Sequence, residues 1–418
     1  MAADRRSFIK TAGSLPLLAS SLASARAAMP EPATRTGPVA LPDKAGFTVD
    51  GIHLNAAYCH PIGVAAQQAN AAYVRSRMVD GGINWPRANP RNEAATLFAR
   101  LINADPKEIA VVPSTLEGEN LVAASLGLGP GAGVVTDPFH YDASLALYGE
   151  MQKRGMPLTV IAPRANRIHL EDIAAAIKPD TRLIAISLVS SDTGFLHDLK
   201  TICDIAHAKG ALVYADIIQA AGAIAIDVRA SGVDFCCAGQ YKWLMGEFGA
   251  AYLYVRADRL PDLKRVQLGW RGVRDFTKHF RAFDPPGPTI GTWDLASGTA
   301  AALFEVSTPS WSALATSVGA LAYINAIGVD AIAAHRKPLL NRLREEMPKL
   351  GFATVTPADA QGPSIVFAYE GARARFAAAL EQAKIYVTVW PNGIRISPSV
   401  HNDMADIDAL RRVLRAMA

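Results

Sequence analysis

Short apolar runs alternate with amphipathic stretches along most of the chain from about residue 90. Apolar positions at helical spacing predict helices over residues 92–102, 116–126 and 143–154. Runs of consecutive apolar residues predict strands over residues 109–112, 133–136, 158–161, 183–188, 211–214 and 233–236. Strands that alternate with helices indicate an α/β fold, in which helices cover both faces of a mostly parallel sheet. Ligands of such sheets bind beyond the carboxyl ends of the strands.

The pattern changes after about residue 310. It predicts, in chain order, a long helical region, a strand, a helix and a hairpin over residues 311–350, 364–369, 372–383 and 385–397. The hairpin is expected to turn at Asn392-Gly393, because this dipeptide favours tight turns. Asp403 is expected to cap a last helix over residues 404–417. This part of the chain therefore resembles a smaller α+β domain.

The first residues have the features of an export signal. Arg5-Arg6, followed by an apolar residue and a lysine, resembles the motif of the twin-arginine export pathway. Residues 11–25 carry no charge but are too short and too weakly apolar to span a membrane, and small residues suited to cleavage follow. We therefore predict a periplasmic protein that the twin-arginine translocase exports already folded. A disordered basic N-terminus is the alternative.

Composition and these patterns divide the chain into four parts. With 418 residues, the protein is long enough for two domains with a sizeable core. We predict a signal peptide at residues 1–27, an extended segment at residues 28–55, a large domain at residues 56–310 and a small domain at residues 311–418.

Charge, histidine and cysteine usage argue against several classes of function. The formal charge is +4, but residues 1–27 hold four basic residues and one acidic residue, so the remainder is nearly neutral. No block of lysine and arginine indicates a nucleic-acid surface. The nine histidines form no HxxH or HxxxH pair and the four cysteines form no CxxC pair, so we expect no metal site.

One segment carries the candidate chemistry. An apolar run ends in Asp216, Gln219 follows three residues later, and a second apolar run leads to Lys242. A lysine in this position can hold pyridoxal phosphate (PLP) as a Schiff base, while the carboxylate faces the pyridine nitrogen. Such a carboxylate favours the protonated ring, which takes up the electrons released when a bond at the substrate Cα breaks.

These residues match a known family. Asp216-x-x-Gln219, Lys242-Trp243-Leu244 and the glycine-rich residues 246–249 resemble the class V aminotransferases, which have PLP fold type I. The family includes cysteine desulfurases, kynureninase, isopenicillin-N-epimerase-like proteins and true transaminases. The resemblance covers nearly everything after residue 50. It implies PLP as the cofactor, a mostly parallel seven-stranded sheet in the large domain, and Lys242 and Asp216 as catalytic residues.

The resemblance also implies cofactor contacts in two loops. Thr115 and Leu116 open a helix whose free N–H groups could hold the PLP phosphate, although Leu116 stands where the family usually has threonine. The loop that follows the next strand usually stacks an aromatic residue or a histidine over the ring. We assign this role to Tyr141, with His140 as the alternative.

Five more residues receive roles from the resemblance. Gln219 is the candidate for the phenolic oxygen of PLP, with Ser191 in the position of the family's asparagine. Tyr241 resembles the kynureninase tyrosine that contacts the phosphate. Thr308 corresponds to a threonine that reaches the phosphate of the neighbouring subunit, which implies a homodimer with shared active sites. Arg395 is assigned to the α-carboxylate of the substrate.

The reaction itself is less constrained than the cofactor. Cysteine desulfurases need a nucleophilic cysteine in the C-terminal third, and no cysteine follows Cys237, which argues against that subclass. A transaminase-like reaction ranks first, on an amino acid or an amino-acid-derived substrate such as a siderophore or another peptidic metabolite. An epimerase or a lyase that cleaves C–S bonds by β-elimination is the alternative. A non-catalytic homologue that binds PLP or another ligand is the second alternative.

Overall fold

The computed structural model describes residues 39–81 and 89–417, in which helices and strands alternate as the apolar pattern predicts. The strands are β1 Ile52–His53, β2 Ile109–Val112, β3 Gly133–Thr136, β4 Leu158–Val160, β5 Thr181–Ser187, β6 Leu212–Asp216, β7 Phe235–Gly239, β8 Ala251–Val255, β9 Val273–Thr277, β10 Thr292–Leu295, β11 Ala353–Thr354, β12 Ile365–Ala368, β13 Ile385–Tyr386, β14 Thr388–Trp390 and β15 Gly393–Ile396. The helices are α1 Val64–Asp80, α2 Pro90–Leu101, α3 Thr115–Ser125, α4 Asp142–Gln152, α5 Leu170–Ala176, α6 Leu199–Ala208, α7 Val228–Ser231, α8 Ala300–Phe304, α9 Trp311–Ile327, α10 Val329–Glu346, α11 Ala372–Gln382 and α12 Met404–Met417.

A seven-stranded sheet with the order β2-β8-β7-β6-β5-β3-β4 forms the centre of the large domain. All of its strands run parallel except β8, which is antiparallel to both β2 and β7. This arrangement confirms the predicted α/β fold with a mostly parallel sheet. Asp216 lies at the carboxyl end of the central strand β6, opposite Ser187 of β5 and Cys237 of β7.

The apolar runs form this sheet because both of its faces are buried. Side chains alternate between two hydrophobic cores, as the two-residue period of a strand requires. Val213 and Ala215 of β6 lie in one core, and Tyr214 lies in the other. The neighbouring strand β5 shows the same alternation, with Ile184 in the first core and Leu183 in the second.

A smaller antiparallel sheet with the order β11-β12-β15-β14 packs with α10, α11 and α12 around a separate core. Trp390 pairs with Gly393, so the β14–β15 turn lies at Pro391-Asn392, one residue earlier than predicted. The physical reason is that Gly393 is needed as a strand residue, while proline supplies the backbone angle that begins a turn. Asp403 accepts a hydrogen bond from the Asp406 N–H at 3.1 Å, which confirms the predicted cap of α12.

The long helical region consists of two helices, α9 and α10, that meet at an angle of 77°. Gly328 joins them with a φ of +85°, a conformation that favours glycine. In the described part of the chain, no single helix is long and apolar enough to cross a membrane, and only this bent pair meets the criteria of length and composition. The long helix α1, which the apolar pattern did not predict, packs on α9.

The N-terminal segment differs from the prediction. Residues 39–55 do not simply run extended over the surface, because β1 pairs in parallel with β13 and Leu54 is fully buried in the core of the small sheet. Backbone hydrogen bonds then join Ala56 to Ser397 and His60 to Tyr241. The segment therefore connects the small sheet with the loop that carries Lys242. The signal peptide predicted at residues 1–27 lies outside the described residues.

Candidate active site

Asp216 and Lys242 follow neighbouring parallel strands, so the fold brings them to the same edge of the sheet. Asp216 is only 4% exposed, and its Oδ1 accepts one hydrogen bond, from the Ile218 N–H at 2.9 Å. Burial raises the pKa of Asp216 to about 6, although the Ile218 N–H and the nearby His140 and Lys242 oppose that shift. A carboxylate with so few partners is suited to pair with a cation that is not part of the protein.

Lys242 is mostly buried, and its ammonium forms no hydrogen bond or ion pair with the described residues. It lies 5.7 Å from the centroid of the Tyr241 ring. Burial lowers the pKa of Lys242 to about 8; the charge of Asp216 opposes this shift and that of Arg395 adds to it. A substantial fraction of the amine is therefore neutral at mildly alkaline pH and can act as a nucleophile or a base.

The start of α3 lies beside the end of β7. Thr115, the first residue of α3, accepts a hydrogen bond through Oγ1 from the Gly239 N–H at 2.8 Å. A Cβ atom on Gly239 would approach this hydroxyl to 3.2 Å and the Tyr241 ring to 3.3 Å. Ser114 caps the helix, and Leu116 is its second residue. The structure thus brings Thr115, Leu116 and Tyr241 together, at a helix start that can bind an anion.

Gln219 is buried and already makes two hydrogen bonds. Its Nε2 donates to the Ala57 carbonyl at 2.9 Å, and its Oε1 accepts from Trp243 Nε1 at 3.1 Å. These contacts tie the N-terminal segment to the residue that follows Lys242. The amide nitrogen carries a second hydrogen, so the predicted contact with the cofactor would be made in addition to this structural role.

The structure distinguishes between His140 and Tyr141. His140 is buried, with Nδ1 2.9 Å from Ser187 Oγ and Nε2 2.9 Å from Glu119 Oε1. Burial alone would lower the pKa of His140, but the charge and hydrogen bond of Glu119, with the charges of Asp216 and Asp137, together outweigh it and raise this pKa. The charge of a protonated His140 would in turn lower the pKa of Asp216. Tyr141, which was assigned to the ring, is 48% exposed at the start of α4.

Glu119 is a residue that the sequence reasoning missed. Besides His140, it accepts hydrogen bonds from Ser144 at 2.5 Å and from Tyr148 at 2.7 Å. Burial alone would raise the pKa of Glu119, but His140 and these hydrogen bonds hold it below its usual value. The available signal was an acidic residue between the apolar positions Gly118 and Leu121 on the buried face of α3.

Arg395 belongs to β15 of the small sheet and reaches the large domain. Its Nη1 donates to the Ser191 carbonyl at 2.9 Å and its Nη2 to Thr388 Oγ1 at 3.2 Å, while the buried Nε has no partner in the described residues. Burial lowers the pKa of Arg395 to about 10, and Asp192 opposes this shift. Ser191 thus meets Arg395 through its backbone, and its hydroxyl donates to Asp192 at 3.1 Å.

Thr308 is exposed, and no hydrogen bond joins it to these site residues in the described part of the chain. The adjacent Glu305 is buried instead and pairs with Arg91 and Arg271, each at 3.1 Å, which fixes the start of this segment. A single chain therefore leaves Thr308 free to face a neighbouring molecule, and its predicted contact with a second subunit stays a prediction.

Metal-type and thiol chemistry have little support in the described residues. No group of three or more His, Cys, Asp or Glu side chains there could hold a metal ion. The four cysteines are free thiols. Cys59 lies within electrostatic range of Lys242, but burial and the charge of Glu247 raise the pKa of its thiol. A thiol of this kind is a weak nucleophile at neutral pH.

Comparison with known proteins identifies the family. A family model described as "Aminotransferase class-V" matches residues 87–410. The chain belongs to this family. Over 323 residues it is 29% identical to the "Uncharacterized aminotransferase YcbU" of Bacillus subtilis, which covers 77% of this chain and 82% of that protein. A "Probable cysteine desulfurase" of Methanothermobacter thermautotrophicus is 28% identical over 55% of this chain, but the match spans only 59% of that relative.

Solved structures support the fold. The cysteine desulfurase CsdA of Escherichia coli superposes with a TM-score of 0.78 at 20% identity, over 91% of this chain and all of that chain. An apo cysteine desulfurase from Thermococcus onnurineus gives a TM-score of 0.76 at 21% identity, over 88% of this chain and 94% of that chain. The class V chain therefore has PLP fold type I, as predicted.

The residues of this class V enzyme fit PLP, which is the cofactor of the family. Lys242 offers an unpaired buried amine, and Asp216 offers a buried carboxylate with a single hydrogen bond. The start of α3 offers backbone N–H groups, and the Thr115 hydroxyl and the Tyr241 ring both lie beside Gly239. These are the three kinds of group that an aldehyde, a protonated ring nitrogen and a phosphate require. The chain is therefore a PLP-dependent enzyme.

Proposed function

We propose that this class V enzyme catalyses a transaminase-like reaction at the Cα of an amino acid or an amino-acid-derived substrate. The observation that supports this proposal is the environment of Lys242. Its buried amine has no partner in the described residues and lies close enough to Asp216 and Arg395 to be affected by both charges. Lys242 would carry the proton, Asp216 would pair with the cationic ring of the cofactor, and Arg395 would bind the carboxylate of the substrate. The match to an aminotransferase over most of both chains supports the same reaction class.

Each residue has a specific task in this reaction. PLP, when bound, supplies an electron sink for the bond that breaks at Cα. Lys242 would take the proton from Cα of the substrate and deliver it to C4′ of the cofactor. Its lowered pKa lets the same amine act as base and then as acid near neutral pH. Asp216 would keep the ring nitrogen protonated by pairing with its charge. Arg395 would hold the substrate carboxylate through its unpartnered Nε and its remaining N–H groups.

We assign the residue over the ring to His140 rather than to Tyr141. His140 is held rigidly from both ring nitrogens by Glu119 and Ser187 and acts electrostatically on Asp216. Tyr141 is half exposed and more suited to the entrance of the site. Replacing His140 should therefore perturb the absorption of the bound cofactor more than replacing Tyr141 does. An equal or opposite ranking would return the role to Tyr141.

A desulfurase reaction through a protein thiol has less support. Burial is the largest cause of the raised pKa values of Cys59 and Cys203, and it raises the pKa of Cys203 to about 12. Burial also raises the thiol pKa values of Cys236 and Cys237, inside β7. An epimerase or a C–S lyase would use the same Lys242 base and remains the second candidate reaction.

The decisive experiment separates these reactions by the fate of the cofactor. The purified holoenzyme would be incubated with single candidate amino donors and no acceptor, and the bound cofactor would be measured by mass spectrometry. Transamination predicts conversion of PLP to pyridoxamine phosphate and identifies the donor. Consumption of the donor with PLP left intact would overturn the transaminase proposal in favour of an epimerase or a lyase.

We also propose that the enzyme is a homodimer with shared active sites. Large apolar side chains near β9 and β10 are exposed in the single chain, including Trp270 at 72% and Phe283 at 80%. The exposed Thr308 follows the same region of the chain. A second copy would cover this surface and let Thr308 reach its neighbour's phosphate site. Sedimentation should give a dimer, and Thr308→Ala should weaken PLP binding; a monomer with full activity would refute the proposal.

Export by the twin-arginine pathway is proposed from the sequence motif alone. The pathway carries folded proteins, which suits an enzyme that acquires its cofactor in the cytoplasm. Cell fractionation should find the wild-type protein in the periplasm and an Arg5→Lys, Arg6→Lys double variant in the cytoplasm. Periplasmic recovery of the double variant would contradict this route.

A further inference from the structure

Arg336 is a buried arginine that has no role in the catalytic site. It occupies a core position of α10, four residues after Ile332 and in line with Leu339 and Leu343, and it is only 2% exposed. A charged side chain in such a position costs several kcal/mol unless other groups satisfy it. A helix that needed only to pack would have an aliphatic residue at this position.

The partners of Arg336 satisfy only part of its guanidinium. Nη2 donates to the Ala223 carbonyl at 2.6 Å, and the guanidinium carbon lies 5.2 Å from the centroid of the Trp243 ring. Nη1 is buried and has no hydrogen-bond partner, and no carboxylate in the described residues forms an ion pair with Arg336. Burial lowers the pKa of Arg336 to about 9, so the side chain is still a cation at neutral pH. It is therefore a buried positive charge without a counterion.

Arg336 lines a pocket of about 370 Å³ between the large sheet domain and the C-terminal domain. This volume lies in the range of roughly 300–1,000 Å³ that is typical of small-molecule sites. The pocket has two further cations, Lys337 and Arg344, and no acidic residue among those that line it. Arg344 is held in place by the carbonyls of Pro357 and Ala360, at 3.1 and 2.9 Å. The nearby Asp359 forms its ion pair with Arg167 instead.

The remaining walls of the pocket are apolar. Leu196 and Ile224 contribute from the large domain, and Leu340 and several alanines contribute from the C-terminal part. A small inorganic anion would leave these walls without contacts. An organic acid would place its carboxylate at the cations and its hydrocarbon part against the apolar walls.

We propose that this pocket is a second binding site, separate from the catalytic one, for a small organic carboxylate whose head group pairs with Arg336. The carboxylate of the ligand would neutralise the buried charge of the guanidinium. The ligand would also contact both domains at once. Because Arg336 lies over Trp243, whose indole N–H donates to Gln219, the site is connected through two contacts to the loop of Lys242. A ligand in this pocket would act on the catalytic site through the contacts of Arg336 with Trp243 and of Trp243 with Gln219.

Calorimetric titration of the holoenzyme with hexanoate, at constant ionic strength, tests this proposal. We expect saturable binding of one hexanoate per chain in the Arg395→Gln variant, in which the proposed substrate carboxylate site is disabled. Adding Arg336→Met to this background should weaken binding by tenfold or more, about the effect of one charge-assisted contact. Because Arg336→Met could disturb folding, Lys337→Glu at an exposed position of the same pocket is the second variant and should also weaken binding severalfold.

Matched controls make each outcome decisive. Lys178→Glu, an exposed charge reversal away from the pocket, should leave hexanoate binding unchanged, and 1-hexanol should not compete. Loss of binding in Arg395→Gln alone would place hexanoate in the catalytic site and overturn the proposal. Equal binding by Arg395→Gln with and without Lys337→Glu would also overturn it, as would inorganic phosphate that competes as tightly as hexanoate. The catalytic proposal is independent of these results, because the cofactor conversion described above is measured without hexanoate.

Discussion

Asp216 and Asp234 lie at opposite edges of the same sheet and have very different surroundings. Asp216 ends β6 at the carboxyl edge and accepts one backbone hydrogen bond, from Ile218. Asp234 directly precedes β7 at the amino edge and accepts from the Val213 N–H at 2.8 Å. It also binds three side chains that surround its two oxygens, namely His207 at 2.8 Å, Arg256 at 3.0 Å and Arg259 at 2.8 Å.

The difference separates structural charges from functional ones. The protein itself satisfies Asp234, so its charge holds α6, β6, β7 and the segment after β8 together. The lone hydrogen bond of Asp216 leaves room for a ligand. In the described residues, the Lys242 ammonium and the Arg395 Nε have no partner at all, which leaves room for a ligand there as well. A buried charge that the protein leaves partly unsatisfied is therefore the better indicator of a site than burial alone.

The largest effect is expected for Lys242→Ala, which removes the proton carrier. Turnover should fall by roughly 10⁴-fold or more, because general acid and base catalysis by one group contributes up to that factor. The variant should keep its stability and retain PLP only weakly and without a covalent bond. Lys178→Ala, at an exposed position, is the control and should behave as the wild type. An active, yellow Lys242→Ala protein would refute the assignment.

Asp234→Asn should mainly destabilise the fold. Removing one partner from a buried ion cluster leaves uncompensated positive charge, and the free energy of unfolding should fall by about 3–5 kcal/mol. Urea unfolding of the holoenzyme measures this value. The turnover per folded molecule should stay near that of the wild type. A variant with normal stability but low turnover would contradict the structural role of Asp234 and thus its difference from Asp216.

Arg395→Gln should act on substrate binding. Loss of a charged, multidentate partner should raise KM for substrates with a free α-carboxylate by about 100-fold, while kcat changes less. For substrates with an amide in place of the carboxylate, KM should rise much less. Arg412→Gln, at an exposed position of α12, is the matched control. Equal losses for acid and amide substrates would assign Arg395 a structural role.

The smallest effect is a gain in stability for cofactor-free Asp216→Asn. The pKa of Asp216 is about 6 in the folded protein and lies above its ordinary value of 3.8. The folded state therefore binds more protons than the unfolded state between these values, and the wild type loses stability as the pH rises through that window. Above it, the variant should be more stable by at most about 3 kcal/mol. Unfolding measured at pH 4 and pH 8 tests this, and a constant difference would contradict it.

Local patterns predicted most elements of the fold. The strands at residues 109–112 and 133–136 have the predicted bounds, because short apolar runs between turns leave little choice of strand position. The elements that were not predicted include helices α1, α5 and α6 and strands β8, β9 and β10. Helix α1 has no clear apolar stripe, since it packs on α9 through alanines at a close approach that Gly319 permits, where a Cβ would lie 2.7 Å from the Ala65 carbonyl oxygen.

The sequence by itself determined the fold class and placed Asp216 and Lys242 at the ends of two consecutive strands, because the alternation of apolar runs with helical patterns and the residue spacing are local features. Only the tertiary structure decided which buried charges are satisfied. Glu119 of α3 meets His140 in the loop before α4, and Arg336 reaches Ala223 across 113 positions of the chain. Such contacts depend on how distant segments of the chain pack together, so a pattern of neighbouring residues does not predict them. The candidate catalytic residues could thus be named from the sequence, whereas the pocket at Arg336 could not.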